Sequence, residues 1–390
     1  MMMTPDPIKL VLLGATGSIG DSTLKVLRKH REHVELLGIA CNSSIDPFLD
    51  IANEFNVPHL AIYSEKAYQQ AKNHPKLPTN SKLYGGMEGL LQLATLPEAS
   101  HILFAMVGVT GLQPALASIE ASKSLILANK EILVLAGELI TQKAKEHKAT
   151  LLPADSEHNA IHQCLHNVNP DEIHRLLLTA SGGQFRNATT EELQNVTLEQ
   201  ALKHPNWDMG PKVTIDSSTM ANKGLEIIEA RWLFDMPADK IQVVVHPQSI
   251  VHSMVEFKDG SILAQLSPPE MTFALQNAIF HPRRHSRVLP TLDFSQTHQF
   301  DFSPPDEKRF PCLRLAKDAL NAGGAAPATF NAANEIAVQA FIDKLIPYHY
   351  IPGIIEKTLQ QMPKLHPATL EEILEADQVA RKIASQQLTS

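Results

Sequence analysis

Short apolar runs without polar alternation recur through the first 150 residues. They occupy 8–13, 34–40, 101–107 and 124–127. A strand that is covered on both faces shows this continuous apolar pattern. Stretches with helical periodicity lie between and after the runs, near 47–55, 64–73, 87–94 and 112–121. Strands that alternate with helices predict βαβ units, and therefore an α/β domain with a doubly wound parallel sheet over 1–150.

The pattern changes after residue 150. Apolar and polar positions alternate better in 249–257 and 261–266, and Lys258-Asp259-Gly260 between them predicts a hairpin turn. Other predicted strands are 175–179, 212–215 and 242–245, and the predicted helices are 156–166 and 218–234. This mixture predicts a central α+β domain over 151–285 whose sheet is partly antiparallel.

The remaining chain divides by composition. Residues 281–312 are rich in Pro, His, Arg and Asp, which predicts a linker arm over 286–312. From residue 313 onward the apolar spacing is helical, with breaks at Gly323-Gly324 and Pro327. We therefore predict a small C-terminal helical domain over 313–390.

Composition and charge argue against some classes of function. The 42 acidic residues outnumber the 34 basic ones, giving a net charge of −8, which opposes sequence-independent nucleic-acid binding. No apolar run approaches the roughly 18 residues of a transmembrane helix, so no membrane partner is expected. The three cysteines lie far apart, and the first residues lack the pattern of a signal peptide, which together predict a cytoplasmic protein. Histidines such as His30 and His33 lie in polar stretches, and no function is assigned to them.

A glycine-rich turn follows the first strand and precedes a helix. It carries Gly14, Gly17 and Gly20, with Thr16 where the common dinucleotide fingerprint has glycine. Small residues let the backbone approach a pyrophosphate, and the helix N-terminus offers free N–H groups to it. We predict a nucleotide domain of the Rossmann type, with a simple tight turn as the alternative. No acidic residue follows the second strand at 40–44, which favours NADP over NAD.

Two carboxylates stand one residue apart after the apolar Leu151-Leu152. In an extended segment Asp155 and Glu157 point the same way, with Ser156 opposite. Neighbouring carboxylates repel each other unless a cation or a proton lies between them, and oxygen ligands favour Mg²⁺ or Mn²⁺. The alternative is a helix start, in which Asp155 or Ser156 caps the helix and Glu157 lies in its first turn.

A second polar cluster spans residues 217–226. On a helix Asn222, Lys223 and Glu226 share one face, because they are spaced by three and four residues. With Ser217 near the helix start, these side chains could hold a phosphate, and Glu226 could supply a third metal carboxylate. The alternative is a solvated face of ion pairs.

Three other segments carry candidate chemistry. Ser181 lies in a small-residue turn suited to an anion, although an ordinary turn has the same composition. The long polar segment after it ends in one of only two tryptophans, Trp207, and is typical of a lid, the alternative being that Trp207 packs on the core. Lys130 follows a predicted strand at the edge where α/β sheets bind ligands.

Taken together, these motifs resemble one enzyme family. LLGATGSIG, LLANKE, LPADSEHNAI, TASGGQF, KHPNWDMG, IDSSTMANKGLEIIEARWLF, HPQSIVHSMV and NAANEIAV occur in the order and approximate spacing of 1-deoxy-D-xylulose 5-phosphate reductoisomerase. The resemblance implies an NADPH-dependent, Mg²⁺- or Mn²⁺-dependent rearrangement and reduction of a phosphorylated sugar to 2-C-methyl-D-erythritol 4-phosphate. It also implies a homodimer that serves isoprenoid biosynthesis by the methylerythritol phosphate route.

The resemblance assigns roles to residues. The implied metal ligands are Asp155, Glu157 and Glu226, which with Lys130 form the implied catalytic set. The implied phosphate contacts are Ser181, Ser217, Asn222 and Lys223, and the substrate body is implied to contact Lys130, Ser156 and His204. Trp207 and Met209 lie on the implied lid, 182–211. The implied cofactor positions are Thr16, Gly17, Ser18, Ile19, Asn42, Asn129, Glu131 and Gly210.

The sequence departs from the family at a few positions. Residues 40–43 read Ala-Cys-Asn-Ser where a glycine or a basic residue followed by asparagine is commoner, and this leaves the 2′-phosphate contacts open. Ala154 and Ala180 are small changes beside the candidate site. A metal-independent NAD(P) dehydrogenase of a phosphorylated aldehyde or sugar is the alternative function, and it predicts activity that a chelator leaves unchanged.

Overall fold

The computed structural model describes residues 6–207 and 209–389, so residue 208 of the predicted lid and both ends of the chain lie outside the described residues. The described chain forms two compact units. The first comprises 6–132, Ile140–Asn159 and Met271–Pro290, and the second comprises Leu133–Leu139, Ala160–Glu270 and 291–389. The helical C-terminal region and the α+β region thus belong to one unit. The domain and linker boundaries at 150, 285 and 312 remain predictions.

The first unit contains the predicted parallel sheet. Its strands are β1 Ile8–Leu13, β2 Val34–Cys41, β3 His59–Ile62, β4 Lys82–Gly85, β5 His101–Phe104, β6 Ser124–Leu127 and β7 Leu151–Pro153. Their order is β4-β3-β2-β1-β5-β6-β7, and every pair is parallel. Leu10 to Leu13 are fully buried, which confirms a strand covered on both faces. The short β3, β4 and β7 were not predicted.

Helices connect these strands, and a further helix follows the last strand. They are α1 Ser18–Lys29, α2 Ile45–Phe55, α3 Glu65–Ala71, α4 Gly86–Ala94, α5 Leu112–Glu120, α6 Glu131–His147 and α7 Ser156–Cys164. The backbone of α6 is non-helical at Ala136. A later helix, α12 Met271–Phe280, belongs to the same unit and packs against α1. The alternation of strands and helices confirms the predicted α/β domain with a doubly wound sheet.

The second unit contains a smaller, mixed sheet. Its strands are β8 Ile173–Ala180, β9 Ile241–Val245, β10 Val251–Phe257 and β11 Ile262–Leu266, in the order β11-β10-β8-β9. Only the β8–β9 pair is parallel. β10 and β11 form the predicted hairpin, whose turn needs Gly260 because the backbone there has φ of 85°.

Helices precede, separate and follow these strands along the chain. They are α8 Thr190–Gln194, α9 Leu198–Ala201, α10 Pro211–Thr219, α11 Ala221–Leu233, α13 Pro311–Ala322, α14 Ala326–Ile342, α15 Ile351–Gln361 and α16 Leu370–Gln386. Short 3₁₀ turns cover Val109–Gly111, Pro170–Glu172, Ala238–Lys240, Tyr348–Tyr350 and Gln387–Thr389. The predicted C-terminal helices are confirmed. No helix among the described residues is long and apolar enough to cross a bilayer.

One secondary-structure prediction was wrong. Residues 212–215 form no strand but lie in α10. The three β-branched residues of this short window suggested a strand, yet Pro211 takes the first helical position, where its fixed φ favours a helix. The helix predicted at 218–234 is also divided, because Met220 is left-handed with φ of 62° and separates α10 from α11.

Candidate active site

The glycine turn of the first unit has the geometry of a nucleotide loop. Gly14 has φ of 105°, and a Cβ there would lie 2.5 Å from the carbonyl oxygen of Ala105. A Cβ on Gly20 would lie 2.3 Å from the carbonyl oxygen of Ala15. Gly17 precedes α1, makes no side-chain cap and is exposed, as is Ser18. The N-terminus of α1 is therefore accessible to an anion, as the sequence predicts.

Three exposed residues, 42–44, follow β2. None of them is acidic, so nothing in this stretch would repel a 2′-phosphate. The backbone carbonyl of Asn42 accepts a hydrogen bond from the N–H of Ser64 at 3.0 Å, which fixes this turn beside β3. The preceding Cys41 is buried, and burial raises the pKa of its thiol to about 12, so this cysteine stays protonated and serves the core.

Asn129 organises the loop after β5. Its side-chain N–H₂ donates to the carbonyl oxygens of Met106 at 2.7 Å and Gly108 at 3.0 Å. Its side-chain oxygen accepts from the N–H of Ile132 at 3.1 Å, inside the first turn of α6. Asn129 and the neighbouring Glu131 are both buried. This predicted cofactor residue thus holds two loops of the sheet edge together.

Lys130 and Asp155 form a short ion pair. The Lys130 Nζ lies 2.8 Å from Asp155 Oδ2, and 14% of each side chain is exposed. His158 is fully buried, and its Nδ1 lies 3.5 Å from the same oxygen. Burial alone raises the pKa of the Asp155 carboxyl, but the Lys130 charge and the His158 contact outweigh burial and hold that pKa well below its usual range. Asp155 is therefore a carboxylate at neutral pH.

The start of α7 has features of both predicted alternatives, a helix start and a pair of neighbouring carboxylates. Asp155 directly precedes this helix, and its carbonyl accepts from the N–H of Asn159 at 2.8 Å. Ser156 Oγ donates to Glu157 Oε2 at 2.5 Å. The segment therefore begins a helix, as the capping alternative predicts, and it also presents two carboxylates one residue apart.

The polar face of α11 in the second unit is largely buried. Glu226 is fully buried, and Lys223 is 4% exposed. Lys223 Nζ lies 2.5 Å from Glu226 Oε2, and Asn222 Nδ2 donates to Glu226 Oε1 at 2.6 Å. The predicted shared face is confirmed, whereas the alternative of a solvated face is wrong for Lys223 and Glu226. Ser217, in α10, is half-buried.

Ser181 and His204 are joined in a neutral network. His204 Nε2 lies 3.0 Å from Ser181 Oγ, and His204 Nδ1 accepts from the N–H groups of Asn206 and Trp207 at 3.2 and 3.0 Å. Because Nδ1 accepts, Nε2 carries the proton and donates to Ser181. Ser181 Oγ also accepts from the N–H of Gly183 at 3.1 Å, so its own O–H is left to donate. Burial, followed by the Arg186 charge, lowers the pKa of His204 to about 4.

The segment predicted as a lid leaves the sheet at a tight turn. Gly182 and Gly183 both have positive φ, and a Cβ on Gly183 would lie 2.8 Å from the carbonyl oxygen of Ser217. Further along, the Trp207 ring meets His252 edge-on at 6.0 Å. Met209 is half-buried, and Gly210 is exposed and precedes α10.

Asn206 is a residue of this region whose role was not predicted from the sequence. Its Nδ2 donates to the carbonyl oxygen of Pro247 at 2.6 Å and to Ser249 Oγ at 3.0 Å. These bonds attach the segment around Trp207 to the turn before β10. The only clue in the sequence is its place between Pro205 and Trp207.

Family models match three parts of the chain. Residues 10–137 match 1-deoxy-D-xylulose 5-phosphate reductoisomerase, 151–234 match its C-terminal domain, and 266–383 match a second model described as the DXP reductoisomerase C-terminal domain.

Relatives of the same name are similar over nearly the whole chain. The enzyme of Chlorobium phaeobacteroides is 48% identical over 96% of this chain and 97% of its own, and that of Thermodesulfovibrio yellowstonii is 44% identical over 97% and 99%. The Zymomonas mobilis enzyme solved with NADPH superposes with a TM-score of 0.93 at 41% identity, covering 99% of this chain and all of its own. A complex with NADPH, fosmidomycin and magnesium gives 0.91 at 39% identity, covering 98% of each chain. This chain belongs to the 1-deoxy-D-xylulose 5-phosphate reductoisomerase family.

Proposed function

We propose that this chain catalyses the NADPH- and divalent-metal-dependent rearrangement and reduction of 1-deoxy-D-xylulose 5-phosphate to 2-C-methyl-D-erythritol 4-phosphate. This reaction belongs to the non-mevalonate route to isoprenoids. The observation that carries the proposal is the 48% identity to a reductoisomerase over almost the whole of both chains. The two halves of the chemistry, rearrangement and hydride transfer, use different sets of residues.

The donor set fits a hard divalent cation. Asp155 and Glu157 present carboxylates at the start of α7, and Glu226 presents one from α11. Oxygen ligands without thiolates favour Mg²⁺ or Mn²⁺. These three residues would hold the ion. When bound, such an ion polarises the ketone and a neighbouring hydroxyl oxygen of the substrate, so that a carbon–carbon bond can break and re-form.

Two lysines compensate the carboxylate charges. Lys130 lies against Asp155 and Lys223 against Glu226, at 2.8 and 2.5 Å. Each ammonium fixes the position of its carboxylate and limits the repulsion between acidic groups. Lys130, which is partly exposed, also offers N–H donors to the oxygens of the substrate body. Ser156 and His204 are proposed to contact the same part of the substrate.

The substrate phosphate is bound by donors of the second unit. Ser217, Asn222 and Lys223 supply hydroxyl, amide and ammonium groups. Ser181 adds its O–H, because its oxygen already accepts from His204 and Gly183. The depressed pKa keeps His204 neutral at neutral pH, so the ring orients Ser181 without a charge of its own. Binding energy at this non-reacting end of the substrate can be used to close the lid.

The residues at this edge of the parallel sheet would hold NADPH, which supplies the hydride when bound. Thr16, Gly17, Ser18 and Ile19, at the exposed N-terminus of α1, would bind its pyrophosphate. Asn42 would contact its ribose, and Asn129, Glu131 and Gly210 would complete the cofactor site. Trp207 and Met209 cover the substrate with apolar surface and exclude water while the hydride moves.

The assembly is proposed to be a homodimer in the cytoplasm. The edge strand β11 supports a dimer, because its Ile262 and Leu263 side chains are each 50% exposed. The three cysteines are free thiols, which suits a reducing compartment.

The test follows NADPH absorbance with 1-deoxy-D-xylulose 5-phosphate, with and without Mg²⁺ or Mn²⁺. Wild type is compared with Glu226→Gln and with Glu157→Gln. Glu157→Gln keeps the shape and a hydrogen-bond acceptor for Ser156, so its fold is expected to survive. Both variants should lose at least about a hundredfold in rate, the scale of one electrostatic contact to the reacting atoms.

The matched control is Glu256→Gln, which removes a half-buried carboxylate paired with Arg175 outside the site. It should keep the wild-type rate. Oxidation of NADPH that persists in EDTA would reject the metal-dependent reaction and support the metal-independent dehydrogenase.

A further inference from the structure

Three histidines of the first unit meet near the C-terminus of α1, the end of this helix that is opposite to the glycine turn. His30 ends α1, His33 lies just before β2, and His285 comes from the segment after α12. One ring nitrogen from each lies within 4.8 Å of the others. The three residues are separated by as many as 255 positions in sequence, so only the fold brings them together. The proposed reaction uses none of them.

The ring arrangement suits a shared cation. Ring centres are 4.5 Å apart for His33 and His285, 5.7 Å for His30 and His285, and 6.2 Å for His30 and His33. Zinc–nitrogen bonds are about 2.1 Å long, so imidazoles on one tetrahedral ion have centres about 5 Å apart. Small side-chain rotations would therefore bring all three rings to bonding distance.

His30 is oriented as metal-binding histidines are. It is 2% exposed, and its Nε2 donates to the carbonyl oxygen of Ser286 at 2.9 Å. This bond places the proton on Nε2 and leaves the lone pair on Nδ1. Histidine ligands of metals commonly donate their other ring nitrogen to a backbone carbonyl in this way.

The neighbouring groups support the same ligand form. Burial lowers the pKa of both His30 and His285, which disfavours the charged form of each ring. The Glu32 carboxylate lies 3.4 Å from His33 Nε2 and supplies negative charge, whereas Lys29 and Arg283 oppose it. Phe280 packs against the rings, with its centre 4.2 Å from that of His285.

We propose that His30, His33 and His285 form a binding site for a transition-metal dication such as Zn²⁺, with water as the fourth ligand. Imidazole nitrogen favours Zn²⁺ over Mg²⁺, so this site is chemically distinct from the carboxylate site. The bound ion would connect the α1–β2 turn to the segment 281–290. Gln276 already holds that segment by donating to the carbonyl oxygens of His285 and Ser286. The site therefore stabilises the first unit rather than taking part in catalysis.

The experiment titrates Zn²⁺ into the full-length, tag-free protein saturated with Mg²⁺ and NADPH, with heat of binding as the readout. The variants are His33→Gln and His285→Gln, because both residues are half-buried and their replacement is expected to leave the fold intact. The matched control is His147→Gln, a half-buried histidine near the C-terminus of α6 in the same unit. Activity with Mg²⁺ checks that every variant is folded.

Wild type and His147→Gln should bind one Zn²⁺ that both site variants bind at least about tenfold more weakly. Zn²⁺ should also raise the melting temperature of wild type more than that of either site variant. Co²⁺ in place of Zn²⁺ should give a visible absorption band that disappears in both. Equal Zn²⁺ affinity in wild type and the two site variants, or no binding to wild type at micromolar Zn²⁺, would overturn the proposal.

Discussion

Two lysine–carboxylate pairs, one in each unit, are built in contrasting ways. Lys223 and Glu226 are three residues apart on α11, and the carboxylate is completely buried. Lys130 and Asp155 are 25 residues apart, follow different strands, and each retains 14% exposure. The first pair depends on its lysine for compensation of a charge that water cannot reach. The second can be compensated by water and His158 as well. Replacement of the lysine by methionine should therefore lower the free energy of unfolding by very different amounts in the two pairs.

Removing the buried lysine should have the largest effect. Lys223→Met removes the ammonium that lies 2.5 Å from the buried Glu226 carboxylate, and breaking a buried pair in this way costs about 3–5 kcal/mol. Urea denaturation should show this loss in the free energy of unfolding. The double variant Lys223→Met/Glu226→Leu removes both charges and should recover most of it. A single variant as stable as wild type would show that the buried pair contributes nothing.

The partly exposed pair should be less sensitive. Lys130→Met removes the partner at 2.8 Å, but Asp155 keeps its contact with His158 and some access to water, so we expect a loss of about 1–3 kcal/mol. The same urea experiment measures it. The NADPH assay should nevertheless show a severe loss of rate, since Lys130 is proposed to contact the substrate. A loss of stability equal to that of Lys223→Met would remove the distinction between the two pairs.

The neutral contact between His204 and Ser181 provides a third case, in which stability depends on an uncharged ring and not on an ion pair. The folded-state pKa of His204, about 4, lies below the usual value near 6.5. The unfolded chain therefore binds the proton first as pH falls. The contribution of His204 to stability is complete above about pH 6.5 and is lost progressively as pH falls towards 4.

Wild type should accordingly lose more stability between pH 6.5 and 4 than His204→Gln does. Denaturation curves at several pH values measure the difference, and NMR titration of the ring gives the pKa directly. A substitution at His349, an exposed histidine of the same unit, is the control. An NMR pKa near 6.5 would contradict the buried, neutral ring.

The local structure is predicted most accurately from the sequence where the residues that determine the backbone and the functional residues lie in one short segment. The glycine turn is such a case, because Gly14 and Gly20 leave no room for a Cβ and their spacing is visible in seven residues. The face of α11 is another, since helical spacing alone brings Asn222, Lys223 and Glu226 together. In both cases the information is local.

Prediction failed where the deciding partner is distant or the window is short. The segment 212–215 contains β-branched residues, but its conformation follows from Pro211 and from the helix that continues to Thr219. His30 and His33 showed no function in the sequence because His285 joins them only in the folded unit. The burial of Glu226 was also invisible, which is why a solvated face remained an alternative.

The side-chain amide of Asn129 limits which residues position 129 can accept. One side chain satisfies two carbonyl oxygens and one N–H, so it needs two donors and an acceptor in a fixed plane. Aspartate has the same shape, yet it would set a negative oxygen against two carbonyls, and leucine would leave all three backbone groups unsatisfied. Among close isosteres none replaces this amide. Random substitution should find codon 129 among the least permissive of the first unit, even where the cofactor itself is not required.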